Sequence, residues 1–253
     1  MRSKGFAAAV AVAVLGLSAV GCGTRYHPTG HGSGEAELTP AYAGLGDVPE
    51  RLSADGTTIT VGDPDAAITV HLYEDPRCPV CEEFETEGGA PVLRDTALHR
   101  ITKTEYTLAS FLDGRLGGKG SEKAVNALRA ALEAGRFAEY HDVLFAHQPP
   151  ESTDGFTDAR LLELAGKVEG LRGPAFDSAV RSMKYRSFVT ASQKVYERAG
   201  GAGSPQGPGT PTAEIDGKRI PARNNAVLFS GERFAGLLAL IGEHPDEWRD
   251  VTL

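Results

Sequence analysis

The chain has 253 residues, 41% of them hydrophobic, with 26 basic against 34 acidic side chains and a formal charge of -8. That length can build one sizeable core or two small ones, and no internal repeat divides it. The acidic balance, without a basic and aromatic-laced patch to offset it, argues against nucleic acid as a partner.

Arg2 and Lys4 precede an apolar run from Phe6 to Leu17, and Ala19-Val20-Gly21-Cys22 follows it. This is the layout of a secretory signal with a small residue before the cut. The run is short for a helix that spans a bilayer. The stretch resembles a bacterial lipoprotein signal, in which the cysteine after the cut is lipidated and becomes the mature N-terminus. Such signals usually carry Leu where this chain has Ala19. The resemblance implies a signal over residues 1–21, a lipid on Cys22 and a place on the outer face of the bacterial cytoplasmic membrane, with a secreted form as the alternative. Removing Arg2 and Lys4 from the 26 basic residues leaves 24 against 34, or -10.

Residues 22–46 read as a flexible tether, because His27, Pro28, Gly30, Gly32, Gly34 and Pro40 break any periodicity. His27 and His31 have helical spacing but no third ligand, so they do not make a metal site. Asp55-Gly56 then marks a turn, and Thr57 to Val61 a hairpin strand. The run from Ala67 to Tyr73 is apolar and β-branched, as in a strand covered on both faces. A helix is expected from Cys81 to about Leu93, interrupted or divided by Gly88-Gly89 and Pro91. A second core strand follows over Arg100 to Leu108.

Helical spacings then dominate. Val125, Leu128, Ala131 and Leu132 mark one helix, Tyr140, Val143 and Leu144 a second, and Leu161, Leu162 and Ala165 a third. A longer helix is expected from Asp177 to Ala199, with Val180, Met183, Phe188, Val195 and Tyr196 toward the core. Gly200 to Gly209 reads as a surface loop. A short strand over Thr212 to Ile215 turns through Asp216-Gly217 into Lys218-Arg219-Ile220, and a last helix runs from Gly231 to Ile241. Trp248 either closes an edge or lies in a tail. The helices between the two groups of strands read as an insertion, giving first and second sheet parts over residues 47–112 and 200–250 and an insertion over 113–199.

Cys78-Pro79-Val80-Cys81 sits where the strand-like run gives way to the first helix. A pair two residues apart closes a reversible disulfide without a large loop, and the first cysteine lies at a helix N-terminus, where unpaired N–H groups favour a thiolate. Cys78 is therefore the candidate nucleophile and Cys81 the resolving thiol. Pro79 loses nothing at a helix start. Two other readings stay open on these residues alone: a structural disulfide, and half of a zinc site, for which no second cysteine pair or compact histidine set exists.

The segment Val70 to Cys81, joined later by Gly209-Thr210-Pro211-Thr212, resembles the DsbA-like branch of the thioredoxin superfamily. The resemblance covers about Leu52 to Ile241. It implies an α/β fold, a thioredoxin-like mixed sheet flanked by helices with an inserted helical domain. It also implies a thiol:disulfide oxidoreductase that acts on unfolded or reduced exported proteins, most simply by inserting disulfides, and that a membrane redox partner recycles. No soluble cofactor and no metal are implied. Pro211 matches the cis proline that lies beside the cysteine pair, leaving Thr210 to pair with an extended substrate that Pro79 and Val80 also contact.

Other members suggest departures. Strong oxidants of this branch carry histidine between the cysteines, where this chain has Pro79-Val80. Glu82 and Glu83 should oppose a thiolate if close, and Arg77 has the opposite sign; a weaker oxidant is expected. The strand position that often carries a buried acid is Leu72 here. His71 beside it is the candidate proton relay for Cys81, while Glu74 and Asp75 are expected at the surface, with Asp75 able to cap the helix approach. The alternatives are a disulfide reductase or isomerase, and a non-catalytic binding domain with a structural disulfide.

Overall fold

The computed structural model describes residues 39–245. Strands β1 (Glu50–Leu52), β2 (Ile59–Gly62), β3 (Ile68–Glu74), β4 (Thr102–Leu108), β5 (Thr212–Ile215) and β6 (Lys218–Arg219) form one sheet in the order β1-β2-β4-β3-β5-β6. β3 and β4 are parallel, with Ile68 opposite Thr102 and Glu74 opposite Leu108, and the remaining neighbours are antiparallel. Parallel neighbours need a crossover. Helices α1 (Pro79–Thr86) and α2 (Ala90–Leu98) supply it.

The expected first helix is thus two, and it starts earlier than Cys81. Gly89 stands at the break, donating to the Leu228 carbonyl at 2.8 Å. A Cβ there would lie 2.8 Å from the Phe234 ring, so a close approach of the last helix fixes this glycine. That last helix is α9 (Gly231–Glu243), with Phe234, Leu237, Leu238 and Ile241 buried. Ser230 caps it by accepting from the Arg233 N–H.

Between β4 and β5 run α3 (Phe111–Leu116), α4 (Gly120–Glu133), α5 (Phe137–Phe145), α6 (Asp158–Ala165), α7 (Pro174–Ser182) and α8 (Arg186–Ala199). The helix expected over Asp177 to Ala199 is broken, because Met183 is left-handed at φ 51° and ends α7. Buried Asn126 of α4 supports the break. Its amide donates to the Ala179 carbonyl at 3.1 Å and its oxygen accepts from the Tyr185 N–H at 2.9 Å. Backbone groups freed by the break therefore find partners.

The helical insertion and the sheet share a continuous apolar core. Val70, Leu72 and Phe84 belong to the same cluster as Leu128, Tyr140, Leu161 and Val180. β3 differs slightly from the expectation of two covered faces: Ile68, Val70 and Leu72 are buried, whereas Thr69 and His71 opposite them are only half-buried. The other end of that face is closed by α8, where Tyr73 and Ala109 pack with Tyr196. The signal, Cys22, the tether up to residue 38 and Trp248 lie outside the described residues. No helix among the described residues is long and apolar enough to cross a membrane.

Candidate active site

β3 delivers the chain to the cysteines through a turn that its own side chains and the insertion define. Cys78 is the N-cap of α1, with Pro79 at the first helical position. Its carbonyl accepts from the N–H groups of Cys81 at 3.0 Å and Glu82 at 3.1 Å. Gln148, just beyond α5, donates from its amide to the carbonyls of Pro76 at 2.8 Å and Cys78 at 3.0 Å. The turn is therefore held from both sides of the insertion boundary.

Its second anchor is Arg77, which is buried. The guanidinium donates to Asp113 at 2.8 Å and to the carbonyls of Gly117, Glu151 and Thr153. Asp113 in turn accepts from the N–H groups of Ser121 and Glu122, capping the start of α4. Asp75 joins the same lattice, accepting from the Arg77 N–H, the Ser121 hydroxyl and the Leu112 N–H. Burial pushes its carboxyl up to about 7 against those hydrogen bonds.

The two cysteines have opposite environments. Cys78 lies 3.4 Å from the Thr210 carbonyl oxygen, to which its thiol donates. The Cys78 thiol is lowered to about 6, first by a hydrogen bond from Cys81, then by the Thr210 side chain and by the Cys81 and Val80 N–H groups, all against burial. The Thr210 hydroxyl is buried without another partner, so it is free to turn to the sulfur. Cys81 is 0% exposed. Burial, followed by the neighbouring Cys78, drives its thiol well above the usual range. Leu112 and Phe111 of α3 and Phe145 of α5 pack against the pair.

Thr210-Pro211 is a cis peptide bond and leads into β5. The loop before it lies on Tyr196, whose hydroxyl accepts from the Gly209 N–H at 3.2 Å. Gly207 has φ +104°, and a Cβ there would collide with the Tyr196 ring. Only glycine lets the backbone approach so closely. Pro79 and Val80, which follow Cys78 in α1, are exposed, and Val80 is one of two exposed large hydrophobic residues among those described.

The sequence matches the family model described as Thioredoxin over residues 54–229. The chain belongs to the thioredoxin family. Similar solved structures include oxidised BdbD from Bacillus subtilis, at 20% identity and TM-score 0.58, covering 71% of this chain and 90% of that one. DsbA from Chlamydia trachomatis is similar at 19% identity and TM-score 0.58, with 74% and 92% covered. MdbA from Corynebacterium diphtheriae, described as a thiol-disulfide oxidoreductase, matches at 20% identity and TM-score 0.57, with 71% and 91% covered. Among curated protein sequences none matches.

In this thioredoxin-family chain the structure brings together Cys78, Cys81, Thr210 and Pro211, which are far apart in sequence. It does not bring His71 to them. His71 lies on the opposite face of β3 from Leu72 and Glu74, with its ring nitrogens facing Thr107 at 2.8 Å and Glu105 at 3.4 Å and its ring stacked on Tyr73. The expectation that Glu74 and Asp75 line the surface is also corrected, since both are 0% exposed. Acidic residues at a strand end read as solvated until the insertion that covers them is in place.

Glu83 is exposed and Glu82 half-exposed, and the Cys78 thiol is lowered rather than raised. Arg77 is committed to Asp113 and the insertion carbonyls, not to the thiolate. Sequence reasoning missed Gln148, Asp113 and Tyr196 as supports of the site, because each reaches it from the insertion. The one cluster of metal-ligand type among the described residues is Glu74, Glu85 and His141. Arg94 contacts Glu85 Oε2 at 3.1 Å there, placing a cation where a metal would need anions alone.

Proposed function

We propose that the chain is a thiol:disulfide oxidoreductase for exported proteins, one that forms disulfides by exchange through Cys78. The observation that carries this reading is the split between the cysteines: the outer thiol is lowered to about 6 while the buried one is raised. A stabilised thiolate makes a good leaving group and favours the reduced form, which is what a donor of disulfides requires. Its value falls between those of thioredoxin, about 7, and strongly oxidising DsbA, about 3.5. An oxidant of intermediate strength follows.

In the reaction, a substrate thiolate attacks the Cys78 sulfur of the disulfide and Cys81 leaves, taking a proton. The second substrate thiolate then attacks the substrate sulfur of the mixed disulfide and expels Cys78 as a thiolate. Substrate loses two electrons and the enzyme gains them. An extended substrate would lie along Thr210 by strand addition, over exposed Pro79 and Val80. We assign recycling to a membrane partner, and attachment near it to a lipid on Cys22.

Equilibration with glutathione tests the direction. A reduction potential well above thioredoxin's, about -270 mV, supports the oxidase reading. A value at or below it assigns the chain to a reductase instead. With Cys81→Ala, exported proteins should accumulate on Cys78 as mixed disulfides; failure to trap any, where an established oxidase does so, indicates a binding domain.

A further inference from the structure

Only part of the apolar surface of α9 is spent on the core. Phe234, Leu237, Leu238 and Ile241 are buried there. Beside them a groove of about 430 Å³ runs between α9 and the 3-10 segment Ala222–Phe229. Val227, Leu237 and Leu240 line it with apolar surface, and Arg223 and Arg233 add two cations. Val227 and Leu240 are only half-buried, so the groove keeps apolar area that a further segment could remove from water.

Gly236 also lines this groove, in the interior of α9. Glycine weakens a helix interior relative to alanine. Among the described residues nothing lies within 4 Å of the place a Cβ would take, so their packing does not require glycine here. A bare stretch of helix backbone instead suits the close approach of another segment. Arg223 and Arg233 are exposed, and neither side chain has a hydrogen bond or an ion pair among the described residues. The groove therefore asks for an occupant with a large apolar side chain and negative charge.

Such a segment follows α9 directly. The helix stops at Glu243, His244 has left helical geometry at φ -134°, and Pro245 comes next. A residue before proline is held out of the helical region, so the chain must change direction there. Beyond it stand Asp246-Glu247-Trp248-Arg249-Asp250-Val251-Thr252-Leu253, outside the described residues, with three acidic side chains against one basic. Trp248 is the only tryptophan of the chain.

The distances allow it. From Glu243, five residues to Trp248 span at most about 17 Å, and seven to Asp250 about 24 Å. Counted back along the helix axis from Glu243, Gly236 lies about 10 Å away and Arg233 about 15 Å.

We propose that residues 246–253 fold back along α9 and occupy this groove, with Trp248 over Gly236 against Val227 and Leu240 and the acidic side chains meeting Arg223 and Arg233. A segment tethered so close competes at high effective concentration with any separate partner. Docking of this kind does not depend on the thiol chemistry. It would brace α9, whose Phe234 ring meets the Phe84 ring of α1 edge-on at 6.2 Å, behind the helix that opens on Cys78.

Trp248 fluorescence tests this, because a single tryptophan reports on the segment alone. In the full chain its emission should lie at shorter wavelength than in a free peptide of residues 244–253, and quenching by acrylamide should be several-fold slower. Emission and quenching equal to the peptide's overturn the proposal. Gly236→Phe fills the groove where a Cβ meets no described neighbour, and should return both readings to those of the peptide. Wild-type readings in that variant, with its circular dichroism unchanged, place Trp248 elsewhere and overturn the proposal too. Replacing both arginines, Arg223→Glu with Arg233→Glu, should speed quenching several-fold, and no change overturns the charge pairing.

Nuclear Overhauser contacts in the wild-type protein decide the matter even where the variants fold poorly. Contacts from the Trp248 indole to the methyl groups of Val227 and Leu240 support the docking, and their absence overturns it. Shielding that is lost on dilution, as a dimer separates, assigns the segment to a second copy and overturns the fold-back within one chain.

Discussion

Cys78 and Cys81 belong to one short motif, yet they inhabit two different media. The mouth of the site presents Cys78 to N–H groups, the Thr210 hydroxyl and exposed Pro79 and Val80. Its floor surrounds Cys81 with Phe145, Leu112, Phe111 and a carboxyl cluster that no water reaches. Reactivity is therefore assigned by depth rather than by residue type. Hydrogen bonds win over burial at the mouth, and burial wins at the floor.

The sharpest break is chemical. Cys78→Ser should reduce thiol exchange to background, whereas Cys81→Ala should leave Cys78 open to alkylation and convert turnover into stalled mixed disulfides; gel-shift trapping distinguishes the two. The next effect is structural. Arg77→Met removes a guanidinium whose side chain is 4% exposed and leaves Asp113, at 3%, without its cation. A loss of about 3–5 kcal/mol is expected from urea unfolding, because an uncompensated charge stays buried.

A pH titration sharpens the mouth. The thiolate is the charged form, so the Cys78 alkylation rate should hold above its value of about 6 and fall as pH drops through it. The expected slope below that point is about tenfold per unit. Thr210→Val keeps the side-chain shape and removes the hydroxyl. It should raise Cys78 by up to about one unit, or ~1.4 kcal/mol, as followed by thiolate absorbance. Val80→Ser should change stability by no more than about 0.5 kcal/mol, since the residue is exposed; a larger loss in thermal unfolding would place it in the core.

The mouth was legible in the sequence and the floor was not. Cys78, Cys81, Thr210 and Pro211 stand in short local patterns, and the strands and most helices around them follow from periodicity. Glu74, Glu85 and His141 come from a strand end, a helix and the insertion, and nothing local shows that they meet. The same reason hid Gln148. An acidic residue next to a turn carries the same sequence signature whether water or a phenylalanine lies over it. Asn126, which splits the expected long helix, acts across the insertion and was invisible for that reason too.

Arg77 carries a consequence for how this fold can be cut down. The residue beside Cys78 donates its guanidinium hydrogen bonds to Asp113, Gly117, Glu151 and Thr153, all contributed by the insertion. Excising the inserted helices to leave a minimal sheet-and-helix scaffold would strand a guanidinium and strip the roof from Cys81 in one operation. The helices are thus no removable accessory to the cysteine pair: a shortened scaffold would need a new residue at position 77 and a new cover for Cys81 before its chemistry could be compared with the parent's.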